Sequence, residues 1–169
     1  SVDNNDPQML EEARKVKLAC LSINSNDIFA RFSSLNKLNR IVAWCKRFSQ
    51  NCRNKEKLRG PLTNKELHEV SIILTKLVQN ESFETEIKAL KRAKCIPGKS
   101  KLLPLSPFLD QDGLIRVGGR LKHAHLTFDN KHPIVLPKNH VYTMLLIQNE
   151  HQRLMHAGPQ AVLANLRNQ

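Results

Sequence analysis

Apolar residues recur every three or four positions between residues 27 and 50, and this spacing places them on one face of an α-helix. Asp27 is suited to begin that helix, because its carboxylate can accept hydrogen bonds from the free amides of the first turn. Trp44 and Cys45 are predicted to lie in the core, because aromatic residues and cysteine are usually buried. The predicted buried face consists of Phe32, Leu35, Leu38, Ile41, Val42, Cys45 and Phe48.

A second helix is predicted to begin after Thr63. Thr63 and Glu66 have the spacing of a capping box, in which the threonine oxygen accepts from an amide three residues on and the glutamate reaches back. The helical pattern resumes over residues 83–90, after a kink or a loop near 79–82. Residues 1–25 fit a helix or a strand. The buried stripe of the second helix is predicted to be Leu67, Val70, Leu74, Leu77 and Val78.

The pattern changes after residue 97, where prolines make residues 97–107 extended. Asp112 and Gly113 form a strong hairpin signal, because both tolerate positive φ. Residues 133–137 are a short apolar run between prolines, which is typical of an edge strand. Residues 107–137 are therefore predicted to form a small antiparallel β unit.

Helical spacing returns at residues 139–154, with Asn139 as a plausible cap, and Pro159 suits the first turn of another helix. The sequence thus predicts an α+β fold. It consists of an N-terminal helical region (1–96), a small antiparallel β unit (97–137) and a C-terminal helical hairpin (138–169).

Composition excludes some classes of protein. No unbroken apolar run is longer than five residues, which is far short of the roughly 20 that a transmembrane helix needs. The same pattern lacks a secretory signal peptide. Four scattered cysteines do not make a disulfide scaffold, so a reducing intracellular compartment, the nucleus or the cytoplasm, is expected. Because the first residue is Ser1, the chain is expected to be processed or cut from a longer one.

Charge is concentrated in one segment. The 169 residues carry a net charge of +12, and residues 31–59 alone hold nine bases and one acid. Such a block suggests contact with nucleic-acid phosphate, although a solvated helix face would produce the same pattern. The candidate phosphate-binding residues of this segment are Arg31, Lys37, Arg40, Lys46, Arg47 and Arg53.

The residues that could carry chemistry are few. His151 and His156 flank the end of a predicted helix, and two imidazoles placed in this way can converge on one metal. An ordinary structural role for both remains open on spacing alone. No cysteine follows Cys95, so a zinc site would lack its sulfur ligands within this chain. The sequence has no Gly-rich phosphate loop and no Gly-x-Ser-x-Gly elbow, and enzymatic activity is not expected.

Several long motifs resemble the Pol polyproteins of BEL/Pao-type LTR retrotransposons. Residues 107–121 (PFLDQDGLIRVGGRL) and 131–138 (KHPIVLPK) are similar to the segment that precedes the integrase. Residues 151–158 (HQRLMHAG), with Leu163 and Leu166, resemble the start of the integrase zinc-binding domain of the His-His-Cys-Cys kind. Three shorter motifs resemble the connection between RNase H and integrase in the same polyproteins: residues 31–35 (RFSSL), 42–45 (VAWC) and 60–63 (GPLT).

This resemblance implies a non-catalytic fragment of Pol with a nucleic-acid-binding and tethering role in DNA integration. His151 and His156 would be the first two zinc ligands of an incomplete zinc-binding domain. Zinc would then bind only in a longer chain, with none expected here. The β unit would match the integrase N-terminal extension, with Arg116, Arg120 and Lys122 as a second phosphate-binding patch.

The expected partners are DNA or RNA bound without sequence preference, the rest of the Pol polyprotein and a second copy of the chain; no membrane is expected. Two alternatives to the Pol fragment stay open. One is a host-expressed adaptor that uses its helices for protein interaction. The other is a degenerate open reading frame without activity.

Overall fold

The computed structural model describes residues 25–119 and 127–167. This part of the chain contains seven α-helices, one 3₁₀ turn and a two-stranded antiparallel sheet, which confirms the predicted α+β class. None of its helices is both long and apolar enough to span a membrane. In chain order the elements are α1 (Ser25–Ala30), α2 (Leu35–Arg53), α3 (Asn64–Ser82), α4 (Glu84–Lys91), the 3₁₀ turn Leu103–Leu105, β1 (Phe108–Leu109), β2 (Ile115–Arg116), α5 (Phe128–Lys131), α6 (Val141–Arg153) and α7 (Pro159–Arg167).

The single helix predicted over residues 27–50 is two helices. α1 ends at Ala30, and α2 begins after Ser34, whose extended backbone makes it the N-cap residue. Asp27 lies inside α1, so its prediction as the cap is wrong. The break lets Phe29 enter the core, where its ring meets the edge of Tyr142.

The buried face of α2 differs from the predicted one. Leu35, Leu38 and Ala43 are buried, whereas Trp44 and Cys45 are exposed, which corrects the prediction that they belong to the core. The physical reason is tertiary: α2 turns its Arg47 side toward α3, where a carboxylate receives the guanidinium. Trp44 lies at the edge of that side, and the face of α2 that also carries Lys37, Ile41 and Phe48 is left toward solvent.

α3 begins with the capping box that the sequence predicts. The Glu66 amide donates to Thr63 Oγ1 at 3.3 Å, and the Thr63 amide donates to a Glu66 carboxylate oxygen at 2.8 Å. The helix ends at Ser82, and Phe83 separates it from α4. α3 packs against α2, and the main core is Phe29, Leu35, Leu38, Ala43, Val70, Leu74, Val78, Tyr142 and Leu145.

The predicted hairpin is present. β1 and β2 pair antiparallel, with Phe108 opposite Arg116 and Leu109 opposite Ile115. The turn between them uses Gly113 at φ +76°, a left-handed conformation that glycine adopts without steric cost. The predicted edge strand is reduced to a single bridge, between Ile134 and Arg116.

Gln79 of α3 joins the helices to the β unit. It is fully buried, and its side-chain amide donates to the carbonyls of Ile115 at 3.0 Å and Val135 at 2.7 Å. Its side-chain oxygen accepts from the Ile115 amide at 2.8 Å. A second core of Ile87, Leu102, Ile115 and Val135 lies beside it, so the packing crosses the sequence boundary at residue 97.

The C-terminal helices lie where the sequence predicts them, but the cap of α6 does not. His140, and not Asn139, caps the helix, because its Nδ1 accepts from the Tyr142 amide at 3.0 Å. Imidazole nitrogen here replaces the usual amide or hydroxyl oxygen of a cap. Tyr142 and Leu145 are the apolar side chains of α6 that enter the main core.

Candidate nucleic-acid interface and histidine pair

His151 and His156 lie side by side. Their ring centroids are 4.8 Å apart, and the planes meet at 71°. His151 is on the last turn of α6 and is partly buried, whereas His156 lies in the following turn and is exposed. The two residues that the sequence singles out are therefore brought together by the fold.

The turn after α6 explains this proximity. The His156 amide donates to the His151 carbonyl at 2.9 Å, and the Met155 amide donates to the Gln152 carbonyl at 3.1 Å. This is the hydrogen-bond pattern of a Schellman cap, which folds the chain back over the last helical turn. Met155 and His156 both have positive φ, at 52° and 62°, a conformation that costs an ordinary residue roughly 1–2 kcal/mol.

The buried carboxylate of Glu150, next to His151 in the sequence, links the two C-terminal helices α6 and α7. Glu150 is 3% exposed and accepts from Arg153 on its own helix and from Asn165 Nδ2 on α7, the latter at 2.5 Å. Within residues 25–119 and 127–167, no cluster of three or more His, Cys, Asp or Glu side chains is placed to hold a metal ion. A tetrahedral zinc site commonly takes two histidines and two cysteines, and this ring pair matches the histidine half in number.

The basic block divides into inward and outward residues. Lys46 and Arg47 face α3, where Lys46 pairs with Glu69 and Arg47 pairs with Glu66. The other bases of the block are exposed and form no salt bridge with any described residue. These outward residues are Arg31, Lys37, Arg40, Arg53, Lys55, Lys57 and Arg59.

Arg47 does not belong to a phosphate-binding set, which corrects the prediction from sequence. Its guanidinium donates to both oxygens of Glu66, at 2.7 and 2.5 Å, and to the carbonyls of Gly60 and Pro61. Only 4% of the residue is exposed, so phosphate would have to displace this whole set. Lys46 is likewise tied to Glu69, on the helix–helix interface.

The pKa of Glu66 records the same ion pair. The hydrogen bond from Arg47 is the largest cause that lowers this pKa to about 2, and the Thr63 amide adds to it. The hydrogen bond from Lys46 similarly lowers the pKa of Glu69. Both carboxylates are therefore charged at neutral pH and neutralise the inward bases.

Arg116, one residue of the second predicted patch, is also internal. It is 8% exposed, and its guanidinium donates to the carboxylates of Asp110 and Asp129 and to the His132 carbonyl. Arg120 and Lys122, the other two residues of that patch, lie outside the described residues.

An exposed aromatic surface on α2 was not predicted from the sequence. Trp44 is 47% exposed and Phe48 is 72% exposed, and both share a helix face with Lys37 and Arg40. The signal was present as spacing: residues 37, 40, 41, 44 and 48 repeat at three and four residues as regularly as the predicted core does.

Comparison of the chain with known protein families, with curated proteins and with solved structures finds no match.

Proposed function

We propose that the chain is a non-catalytic segment of a retrotransposon Pol polyprotein, with a nucleic-acid-binding and tethering role in DNA integration. The observation that carries the binding role is the division of the basic block. Carboxylates of α3 neutralise its inward bases, whereas its outward bases form no salt bridge within residues 25–119 and 127–167. The motifs of residues 107–121 and 151–158 and the adjacent histidine rings support the placement in Pol.

Binding through these outward bases is electrostatic. Each phosphate that a lysine or arginine neutralises releases condensed counterions, so affinity falls steeply as salt rises. Phosphate contacts carry no sequence information, and DNA or RNA of any sequence is expected to bind. A segment of this kind holds nucleic acid near the enzymes on either side of it without reacting with it.

A salt titration tests this role. The affinity for a DNA duplex, measured by fluorescence anisotropy, should fall with a log–log slope of several units. The double variant Lys37→Gln/Arg40→Gln should reduce the slope by about two, because two phosphate contacts are lost. The matched control is Lys88→Gln/Lys91→Gln on α4, which removes the same charge elsewhere and should change the slope little. Absence of binding at low salt contradicts the role.

His151 and His156 are proposed as two ligands of a zinc site whose other ligands are not among the described residues. Zinc bound there would supply a structural cross-link rather than chemistry. We expect little zinc in the purified chain, because two ligands leave the tetrahedron half open. Atomic absorption measures this, with His151→Asn/His156→Asn as the control. Stoichiometric zinc that both proteins retain would show that other residues hold it.

A protein-interaction adaptor is the second candidate function. Ile73 and Leu77 of α3 are 36% and 39% exposed, which gives this helix an apolar strip on its outer side. Light scattering tests the idea directly. A defined oligomer in the absence of nucleic acid, lost in Ile73→Ser/Leu77→Ser, favours the adaptor. A monomer that binds DNA favours the first proposal.

A further inference from the structure

We propose that the outer face of α2 binds single-stranded nucleic acid, with unpaired bases stacked on Trp44 and Phe48 and phosphates held by Lys37 and Arg40. This inference rests on the proposed nucleic-acid-binding function and specifies the form of the nucleic acid. It concerns a surface that the sequence pattern assigned to the core and that the structure leaves open.

Two basic residues and then two aromatic residues follow one another along one side of a regular helix. Residues four apart in an α-helix lie one above the other, so Arg40, Trp44 and Phe48 form a row along the helix axis. Lys37 begins this row one turn earlier, and Ile41 lies beside it with 47% of its surface exposed. The surface therefore offers flat apolar rings and cations at intervals of one turn.

The Trp44 ring is held in place by a neighbouring arginine. The Arg47 guanidinium lies over the indole ring, 4.8 Å from its centroid, and is itself fixed by Glu66 and two carbonyls. Trp44 is 47% exposed, so part of its indole surface remains for a base while Arg47 holds the ring. Because the ring is anchored before any ligand arrives, stacking costs it little conformational entropy.

Charge favours nucleic acid over a second copy of the chain for this face. Glu56 is the only acid in residues 31–59, and it comes after the end of α2. A second copy of the chain would bring the same cations against these and be repelled. Single-stranded nucleic acid supplies phosphates for the cations and flat bases for the rings in one ligand, whereas a duplex keeps its bases stacked inside.

The experiment uses Trp44 as its own reporter, because it is the only tryptophan of the chain. Oligothymidylate of about 12 nucleotides should quench its fluorescence, since a stacked base contacts the ring. Affinity for this strand should exceed that for a duplex of equal charge. In fluorescence anisotropy with a labelled strand, which does not depend on the tryptophan, Trp44→Leu and Phe48→Leu should each weaken single-strand binding about tenfold, with duplex binding unchanged. Ile41→Ala, on the same face without a ring, is the matched control and should change neither.

Three outcomes would overturn the inference, and each has a different meaning for the proposed function. Equal salt-dependent binding of both forms without quenching removes stacking but leaves the phosphate-binding role. No binding of either form at low salt removes both. An oligomer that forms without nucleic acid and dissociates in Phe48→Leu assigns the face to protein association. Circular dichroism and thermal unfolding establish that each variant is folded.

Discussion

Arg47 and Arg116 lie in different parts of the molecule, one between helices and one in the β unit, and both are closed off from solvent. Arg47 meets one carboxylate and two carbonyls, whereas Arg116 meets two carboxylates and one carbonyl. Some of the basic residues of this strongly basic chain therefore stabilise the fold. Only bases without such partners are free to meet an external anion.

The two sites differ in what remains if the arginine is removed. Glu66 would keep its hydrogen bonds with Thr63 and is 15% exposed, so water can reach it. Asp110 has a side chain only 5% exposed and would lie near Asp129 without the cation between them. The β unit is therefore expected to depend on its arginine more strongly than the helices do.

The largest effect is expected from Arg116→Met. Removing one partner of a buried ion pair costs about 3–5 kcal/mol, because the other partner stays desolvated and charged. Here the cost falls mainly on Asp110, whose side chain is 5% exposed, because water reaches the half-exposed Asp129. Thermal unfolding should show Tm lowered by about 10 °C. Adding Asp110→Asn to this variant should recover part of the loss, and a variant as stable as the parent chain would refute the ion-pair role.

A smaller effect is expected from Arg47→Met. The methionine retains much of the apolar stem, while Glu66 keeps its cap and gains water, so Tm should fall by about 5 °C. The measurement is the same thermal scan, run beside Lys88→Met as a control at an exposed pair, which should shift Tm little. If Tm falls as much in Arg47→Met as in Arg116→Met, the expectation that the two environments differ in stability is wrong.

The most gradual effect is the pH dependence of this interface. The folded state lowers the pKa of Glu66 from 4.5 to about 2, so its stabilisation is complete above pH 4.5 and is lost as pH falls toward 2. Urea unfolding across that window should show a decreasing free energy of unfolding. The decrease should be shallower in Arg47→Met, because the arginine is the main cause of the low pKa. Parallel curves for the two proteins would contradict this assignment.

Features set by neighbours in the chain could be predicted, and those set by distant residues could not. The Thr63–Glu66 capping box and the turn at Gly113 depend on residues within four positions, and both are confirmed. The burial of Arg47 depends on a carboxylate 19 residues away, so the same bases looked alike in the sequence. For the same reason, the predicted buried face of α2 is confirmed at Leu35 and Leu38 but is wrong at Ile41, Cys45 and Phe48.

The candidate site shows the same limit. His151 and His156 could be paired in advance, because one local turn brings them together. Trp44 and Phe48 could not be recognised as surface residues, since a stripe at helical spacing is more often core. Only the positions of α3 and α6 decide which of two possible stripes on α2 is covered.

The hydrogen bond between Gln79 and the Ile115 amide reports whether α3 has separated from the β unit. The Ile115 amide belongs to a strand, yet its proton is held by a side chain 36 residues earlier in the chain. Exchange of this single proton with deuterated solvent should therefore follow the departure of the helix, whereas neighbouring hairpin protons follow the opening of the strands. One amide thus distinguishes two kinds of local unfolding that a global melting curve would merge.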